Sequence, residues 1–375
     1  MTSIITRIEK LKDIKKTKQA DAFLITSASS IKYFSGYFFY FEYGPSPFHL
    51  LPALLMIAPG QDMALIVADN EMGQTDSMPA GIRILPYESY TYEKPADPSG
   101  ECVKNVLAFI QENKLGSCRL AIEADKLPYV IKQTLDELFP SIEWIDISED
   151  LNRIKAVKDP DEIENIREAA HLADLGQAAV LQYARSGISE LELFSLVHKV
   201  MEESVGFRVP LMSDLSSGRN TNTGGGMPTN KIIHTGDLVL SDFQPCLRGY
   251  WGDSCNTMVV GIPTTSQKKT WKLVHQALEM GIDAIRPGVR ANEIDRLMRA
   301  HIGSYPHHSG HSVGTAYHEG PRITPYNETK LEPGMVIALE PAIYKEEFGI
   351  RLEHLVLVTE AGSEIITQFN HRFEQ

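Results

Sequence analysis

Two apolar runs in the C-terminal half of this chain carry acids where a buried strand would ordinarily have none. This constrains the fold more than any other feature of the sequence. Asp242 lies inside Leu238-Val239-Leu240-Ser241-Asp242-Phe243-Gln244, and Asp253 opens a run from Ser254 to Val260. Glu340 ends Met335-Val336-Ile337-Ala338-Leu339, and Glu353 begins a run through Leu355-Val356-Leu357-Val358. Segments of this length and apolarity read as strands.

Asp242 and Asp253 are eleven residues apart, which suits a hairpin with a four-residue loop, Cys246 to Gly249. Directly opposed in such a hairpin, their Cβ atoms would lie about 5 Å apart. Carboxylates that close repel unless protonated or bridged by cations, so a metal site is the natural reading. Taken alone, the pair could also be a solvated strand-end acid and a turn residue. Glu340 and Glu353 are thirteen apart and span Lys345-Glu346-Glu347-Phe348-Gly349, which suits a second hairpin with both acids facing inward. Two such hairpins are hard to attribute to solvated surface.

Between them lies Tyr305-Pro306-His307-His308-Ser309-Gly310-His311-Ser312-Val313-Gly314, followed by His318-Glu319, with four histidines in twelve residues. A lone histidine is more often structural, but this cluster is denser than structural duty explains. Imidazole with carboxylates suits manganese, cobalt, zinc or iron, whereas all-oxygen sites favour magnesium or calcium. Four acids and one histidine match a two-metal hydrolytic site, with ions about 3.5–4 Å apart sharing a water.

Composition cannot locate such a site. The chain has 49 Asp+Glu against 36 Lys+Arg, a net charge of −13, without separating solvating acids from working ones. It does limit the function classes. Net acidity without a long basic run argues against nucleic acid as the main partner. No window approaches the roughly 18 apolar residues of a spanning helix. The charged start, MTSIITRIEKLKDIKK, lacks the apolar core of a secretory signal. Four cysteines without a C-x-x-C pair argue against a disulfide framework or structural zinc module. The expectation is a soluble, cytoplasmic protein without membrane partners.

At 375 residues, two domains are expected. Apolar runs at 22–26, 54–58, 63–67 and 119–123, with helical patterns at 101–114 and 127–138, predict an α/β domain. The boundary is placed so that residues 1–152 form the first domain and 153–375 the second. Asp159-Pro160-Asp161-Glu162 signals a helix start, Gly187 a stop, and Ser189-Glu190 a further helix to about Val205. Helical patterns recur at 266–286 and 291–302. Arg185-Ser186-Gly187-Ile188 recurs as Arg286-Pro287-Gly288-Val289 at an offset of 101 residues. Either this is chance similarity between two helix corners, or the second domain has two related halves with a site between them.

The ordered set resembles the pita-bread metallopeptidase family, which includes aminopeptidase P, prolidase and methionine aminopeptidase. It comprises Asp in LVLSD, Asp eleven residues on, His in SGHSVG, Glu in ALEP and Glu in RLE. The resemblance is strongest to the Xaa-Pro-cleaving branch, with its creatinase-like N-terminal α/β domain, and so covers the whole length. It implies an α+β pita-bread catalytic domain with a pseudo-twofold internal repeat. It also implies two divalent metal ions, manganese first, with cobalt, zinc or iron as alternatives. By this resemblance Asp242 and Asp253 bind one ion, His311 and Glu340 bind the other, and Asp253 and Glu353 bridge. A metal-activated hydroxide would attack the peptide carbonyl, removing the N-terminal residue from Xaa-Pro peptides or dipeptides. Glu340 would shuttle a proton and His318 would stabilise the oxyanion. His307 and Arg351 fall at positions implied to contact or orient substrate, with loop packing and a surface ion pair as the alternatives. A homodimer is implied as the assembly.

One departure stands out. The family's peptidases carry a substrate-contacting histidine three residues before the proline that is Pro228 here, and this chain has Gly225 there. Either His307, His308 or His234 takes over, or the substrate is a non-peptide small metabolite handled by a hydrolase or lyase of the same fold. A non-catalytic binding module is a third possibility, though all five ligand positions are retained. Cys246, Cys255, Trp251, His275 and His301 are expected to be packing residues. The aromatic segment Tyr37 to Pro47 could be an interface, a substrate rim or core.

Overall fold

The computed structural model describes residues 2–38, 51–75 and 78–374. Apart from Tyr37 and Phe38, the aromatic segment Tyr37 to Pro47 lies outside the described residues. The chain divides into two compact units, Met1–Lys155 and Ala156–Gln375. Among the described residues no helix is long and apolar enough to cross a membrane.

The first unit begins with α1 (Thr2–Lys18), β1 (Ala22–Ile25), α2 (Ala28–Ser35), β2 (Leu54–Ile57), β3 (Met63–Ala68) and β4 (Ile82–Tyr87). It continues with α3 (Pro98–Glu112), β5 (Arg119–Ile122), α4 (Tyr129–Leu138), β6 (Glu143–Asp146) and α5 (Ser148–Ala156). The strands form one mixed sheet in the order β4-β3-β2-β1-β5-β6. Strands β1, β2 and β3 are apolar at every position because both faces are covered. Leu24, Met56 and Ile66 pack with Val106 and Phe109 of α3 and Leu135 of α4. Their neighbours Phe23, Ile25, Leu55 and Leu65 pack on the other face, with Leu11 of α1 and Ile31 of α2. β4 and β6 are the edge strands, and their half-exposed, mixed residues gave no clear strand signal.

The second unit begins with α6 (Pro160–Tyr183), α7 (Glu190–Val205), β7 (Leu211–Ser217), β8 (Leu238–Leu247), β9 (Tyr250–Trp251) and β10 (Ser254–Val259). Next come α8 (Thr265–Ala284), α9 (Ala291–Ile302), β11 (Gly310–Ser312), β12 (Glu319–Ile323) and β13 (Val336–Leu339). The last elements are β14 (Ala342–Tyr344), β15 (Gly349–Arg351), β16 (His354–Val358) and β17 (Ser363–Ile365). Helix α6 starts where its acids predict: the Asp159 N–H donates to the Glu162 carboxylate at 3.0 Å. It ends at Tyr183 rather than at Gly187, which instead lies in the following turn at φ 93°.

That turn settles the 101-residue echo. Gly187 and Gly288 both have positive φ, 93° and 86°, and their N–H groups donate to Ile233 and Leu331. The two carbonyls next in line, Ile188 and Val289, accept from those same residues at 2.9 and 2.8 Å. Each half therefore repeats two helices joined by a glycine corner and tied to a later segment. In the first half, α6 and α7 pack on β7, β8 and β10 around Val197, Met201 and Phe243. In the second, α8 and α9 pack on β13 and β16 around Leu278, Ile294 and Ile337.

Candidate metal centre

The first aspartate pair sits on the hairpin of β8 with β9 and β10. Its turn is tighter than the expected Cys246–Gly249 loop: Leu247 pairs with Tyr250, leaving a two-residue turn of Arg248 and Gly249. Both residues have positive φ, 50° and 80°, the left-handed backbone region of a type I′ turn, which suits the right-handed twist of the flanking strands. The register consequently sets Cys255 opposite Asp242. Asp253, two residues before Cys255, is a diagonal neighbour on the same face, not a directly opposed one. The side-chain amide of Gln244 spans the pair, donating to Asp242 and, at 3.0 Å, to Asp253.

His311 lies on β11, where Gly310, His311 and Ser312 pair with β13. Gly310 is demanded by this pairing, because a Cβ there would stand 2.1 Å from the Ala338 carbonyl oxygen. The His311 Nδ1 lies 3.0 Å from the Ser312 carbonyl. A carbonyl only accepts, so Nδ1 carries the proton and Nε2 presents its lone pair. That Nε2 stands 3.5 Å from Asp253 Oδ2 and 3.6 Å from Glu340 Oε1.

Glu340 and Glu353 complete the ring. Asp253, His311 and Glu353 each offer a ligand atom within 4.8 Å of the others. All five expected ligand residues are buried, and Glu353 Oε2 has no hydrogen-bond partner. Burial, then the neighbouring Asp242 carboxylate, pushes Asp253 well above the usual range. Burial, then Asp253, does the same to Glu353. Asp242 is pushed up to about 7, mainly by burial, against the opposing pull of Arg351. Burial also raises Glu340, but a hydrogen bond from His308 and the nearby histidines outweigh it and hold the group at about 2. Burial lowers His311 to about 4, so its imidazole is neutral near pH 7.

A buried acid in the first unit shows what internal satisfaction looks like. Glu123 accepts from the Thr26 and Ser27 N–H groups and from the Ser27 and Ser30 hydroxyls. In the second unit Glu190 is satisfied in the same way, by the N–H and hydroxyl groups of Ser217 and Thr229, whereas Asp242, Asp253, Glu340 and Glu353 have no such set of backbone and hydroxyl donors. Closely placed buried carboxylates with a bare imidazole nitrogen and an unpartnered oxygen fit divalent cations, and all five residues could serve as ligands.

The remaining expected residues divide. His318 is exposed, with its ring 4.3 Å from that of His311. His307 has two internal contacts, Nδ1 to the His308 carbonyl at 2.8 Å and Nε2 to the Tyr344 hydroxyl at 2.9 Å. Arg351 is buried and holds Asp242 at 2.5 Å and Asp214 at 3.0 Å. Of the three histidines offered in place of an imidazole at 225, His308 reaches Glu340 Oε1 at 2.8 Å. His307 Nδ1 lies 3.6 Å from Glu340 Oε2. His234 is exposed, and its N–H donates to Asp237.

Three residues, Gln244, Asp214 and Tyr344, escaped the sequence reasoning as members of the site. Gln244 could have been found, since it lies two residues from Asp242 and therefore on the same strand face. His308 was a candidate for the imidazole missing at 225, and the structure sets it against Glu340. Asp214 and Tyr344 gave no signal, because only strand pairing and loop packing bring them to Arg351.

A model of "Metallopeptidase family M24" matches residues 164–360, and one of the "Creatinase/Prolidase N-terminal domain" matches residues 7–157. An uncharacterized peptidase of Staphylococcus haemolyticus is 30% identical over 98% of this chain and 100% of its own. An Xaa-Pro dipeptidase of Pyrococcus furiosus is 29% identical over 96% of this chain and 97% of its own. Among solved structures, an Xaa-Pro dipeptidase from Bacillus anthracis superposes with a TM-score of 0.84 at 26% identity, covering 99% of each chain.

Proposed function

The chain belongs to metallopeptidase family M24, and from that premise we propose that it hydrolyses Xaa-Pro dipeptides, releasing the N-terminal residue. The observation that carries this reading is the buried ring of Asp242, Asp253, His311, Glu340 and Glu353, in which Glu353 Oε2 lacks any internal donor. These five residues would hold two divalent cations. Bound there, such ions lower the pKa of water and polarise a peptide carbonyl.

The protein's own groups supply the rest. His318 stands at the exposed side of His311 and is the donor assigned to the developing oxyanion. Glu340, kept ionised, is the assigned proton acceptor. Its low pKa makes it a weak base, and the His308 imidazole that donates to it at 2.8 Å keeps its carboxylate ionised. His307 and Arg351 act on the site through Tyr344 and Asp242, with which they already bond.

In this reading residues 153–375 form the catalytic domain and 1–152 the N-terminal domain. Manganese is the first ion to test, and a homodimer is the assembly, which light scattering checks. The alternative of a non-peptide metabolite is not favoured, since the relatives above are peptidases. Incubation of the manganese-loaded protein with Xaa-Pro dipeptides, and with longer Xaa-Pro peptides for comparison, tests the proposal. Release of the N-terminal residue from dipeptides is expected, and absence of turnover on both substrate classes rejects it.

A further inference from the structure

The position of Gly225 is not merely short of a side chain; its side-chain space is taken. A Cβ on this glycine would fall 2.0 Å from Asp214 Oδ2 and 2.4 Å from its carboxyl carbon, and the backbone has φ 142°. Asp214 stands opposite Asp242 in the β7–β8 register. The two carboxylates share one nitrogen of Arg351: Nη2 lies 3.0 Å from Asp214 and 2.5 Å from Asp242. The other terminal nitrogen, Nη1, donates to the Gly224 carbonyl, next to Gly225. The Arg351 side chain is 7% exposed and that of Asp214 37%. A buried cation thus sits between a candidate metal ligand and a carboxylate that is not one.

We propose that Asp214 is a positioning residue of the metal centre, holding Arg351 beside Asp242, and that glycine at 225 gives its carboxylate the space to do so. This rests on the metal-centre reading above. With Asp214 in place, the guanidinium charge is balanced from outside the ligand set. Without it, that charge is balanced by Asp242 alone, which then competes for the same oxygen and repels incoming cations.

The test is calorimetric titration of metal-free protein with Mn²⁺, alongside its melting curve. Asp214→Asn is expected to weaken Mn²⁺ binding about 10–100-fold, the usual cost of losing a group that orients a ligand. The metal-free melting temperature stays at the parent's value. Gly225→Ala displaces Asp214 and gives the same loss, and the double variant is no worse than either single one. Should Gly225→Ala fail to fold, Asp214→Asn decides alone. Parental Mn²⁺ affinity in Asp214→Asn overturns the inference, whether or not the melting temperature falls. So does a raised KM with unchanged metal affinity, or additive losses in the double variant. A parent protein that binds no Mn²⁺ removes the metal-centre reading itself, and this inference with it.

Discussion

Glu340 and Glu353 face each other across an opening in one antiparallel ladder. Leu339 pairs with His354 on one side of the opening and Ala342 with Arg351 on the other, a shared register that sets the two glutamates opposite. Their own N–H groups leave the ladder. Glu340 donates to the Ser309 carbonyl at 3.0 Å and Glu353 to the Cys255 carbonyl at 2.9 Å. The two backbones are tied to different neighbours, so the ladder splays at the point where both carboxylates approach His311.

The crowding of these acids makes a contrary pair of effects testable. Asp253→Asn removes a carboxylate disfavoured by burial and by Asp242. The metal-free variant should melt later than the parent at pH 7–8. Its affinity for Mn²⁺ should fall by more than about 100-fold, beyond the loss typical of an outer-shell residue. Differential scanning calorimetry and metal titration read the two effects separately, and an earlier-melting metal-free variant would contradict the electrostatic account.

Metal uptake should expel protons. In the metal-free protein Asp242 titrates at about 7. Below that pH the carboxyl holds a proton that a cation must displace, and Asp253 and Glu353, pushed well above the usual carboxylate range, hold theirs further up, so affinity rises with pH across neutrality. Titration in two buffers of different ionisation heat should show net proton release at pH 6. Release at pH 8 should be smaller, and equal release at both pH values speaks against this assignment.

Two histidines behind Glu353 set a separate pH dependence. Burial lowers His354 to about 4 and His371 well below the usual histidine range. His371 Nε2 donates toward the Cys255 and Glu353 carbonyls at 3.1 and 3.0 Å, and His354 Nδ1 lies 2.7 Å from the Thr367 hydroxyl. Unfolded histidine titrates near 6.5, so below that pH the unfolded chain binds more protons. The stability contributed is complete above about pH 6.5 and is lost as pH falls toward 4, roughly 3 kcal/mol for His354. Denaturant midpoints between pH 7 and 4.5 should show the fall, and His354→Gln should flatten it.

Lys158 is fully enclosed and grips the loop that carries His318. Its Nζ lies 3.1 Å from Glu319 Oε2 and 2.7 Å from the Ser312 hydroxyl. Lys158→Met leaves Glu319 buried without its cation and should cost about 3–5 kcal/mol. Adding Glu319→Gln should recover part of that loss in chemical denaturation, whereas no recovery would mean that Lys158 stabilises by packing alone.

Much of this site was legible before any folding was considered. Apolar neighbours made Asp242, Asp253, Glu340 and Glu353 buried acids, because an acid within a two-faced apolar strand has nowhere else to go. The histidine density marked the segment holding His311. The glycine corners at Gly187 and Gly288 marked the repeat. Hairpin details were less legible: nothing local in Cys246-Leu247-Arg248-Gly249 distinguishes a four-residue loop from a two-residue turn. Short or polar strands such as β7 and β11 escaped because their pattern carries little apolar periodicity.

By itself, then, the sequence determined which groups would be buried and which chemistry they would favour, since burial and ligand type follow from residue identity and local pattern. Only the tertiary structure decided how those groups are held. Asp214 meets Arg351 across 137 residues and Tyr344 meets His307 across 37. Such contacts depend on register between strands distant in the chain, and no local propensity encodes that register.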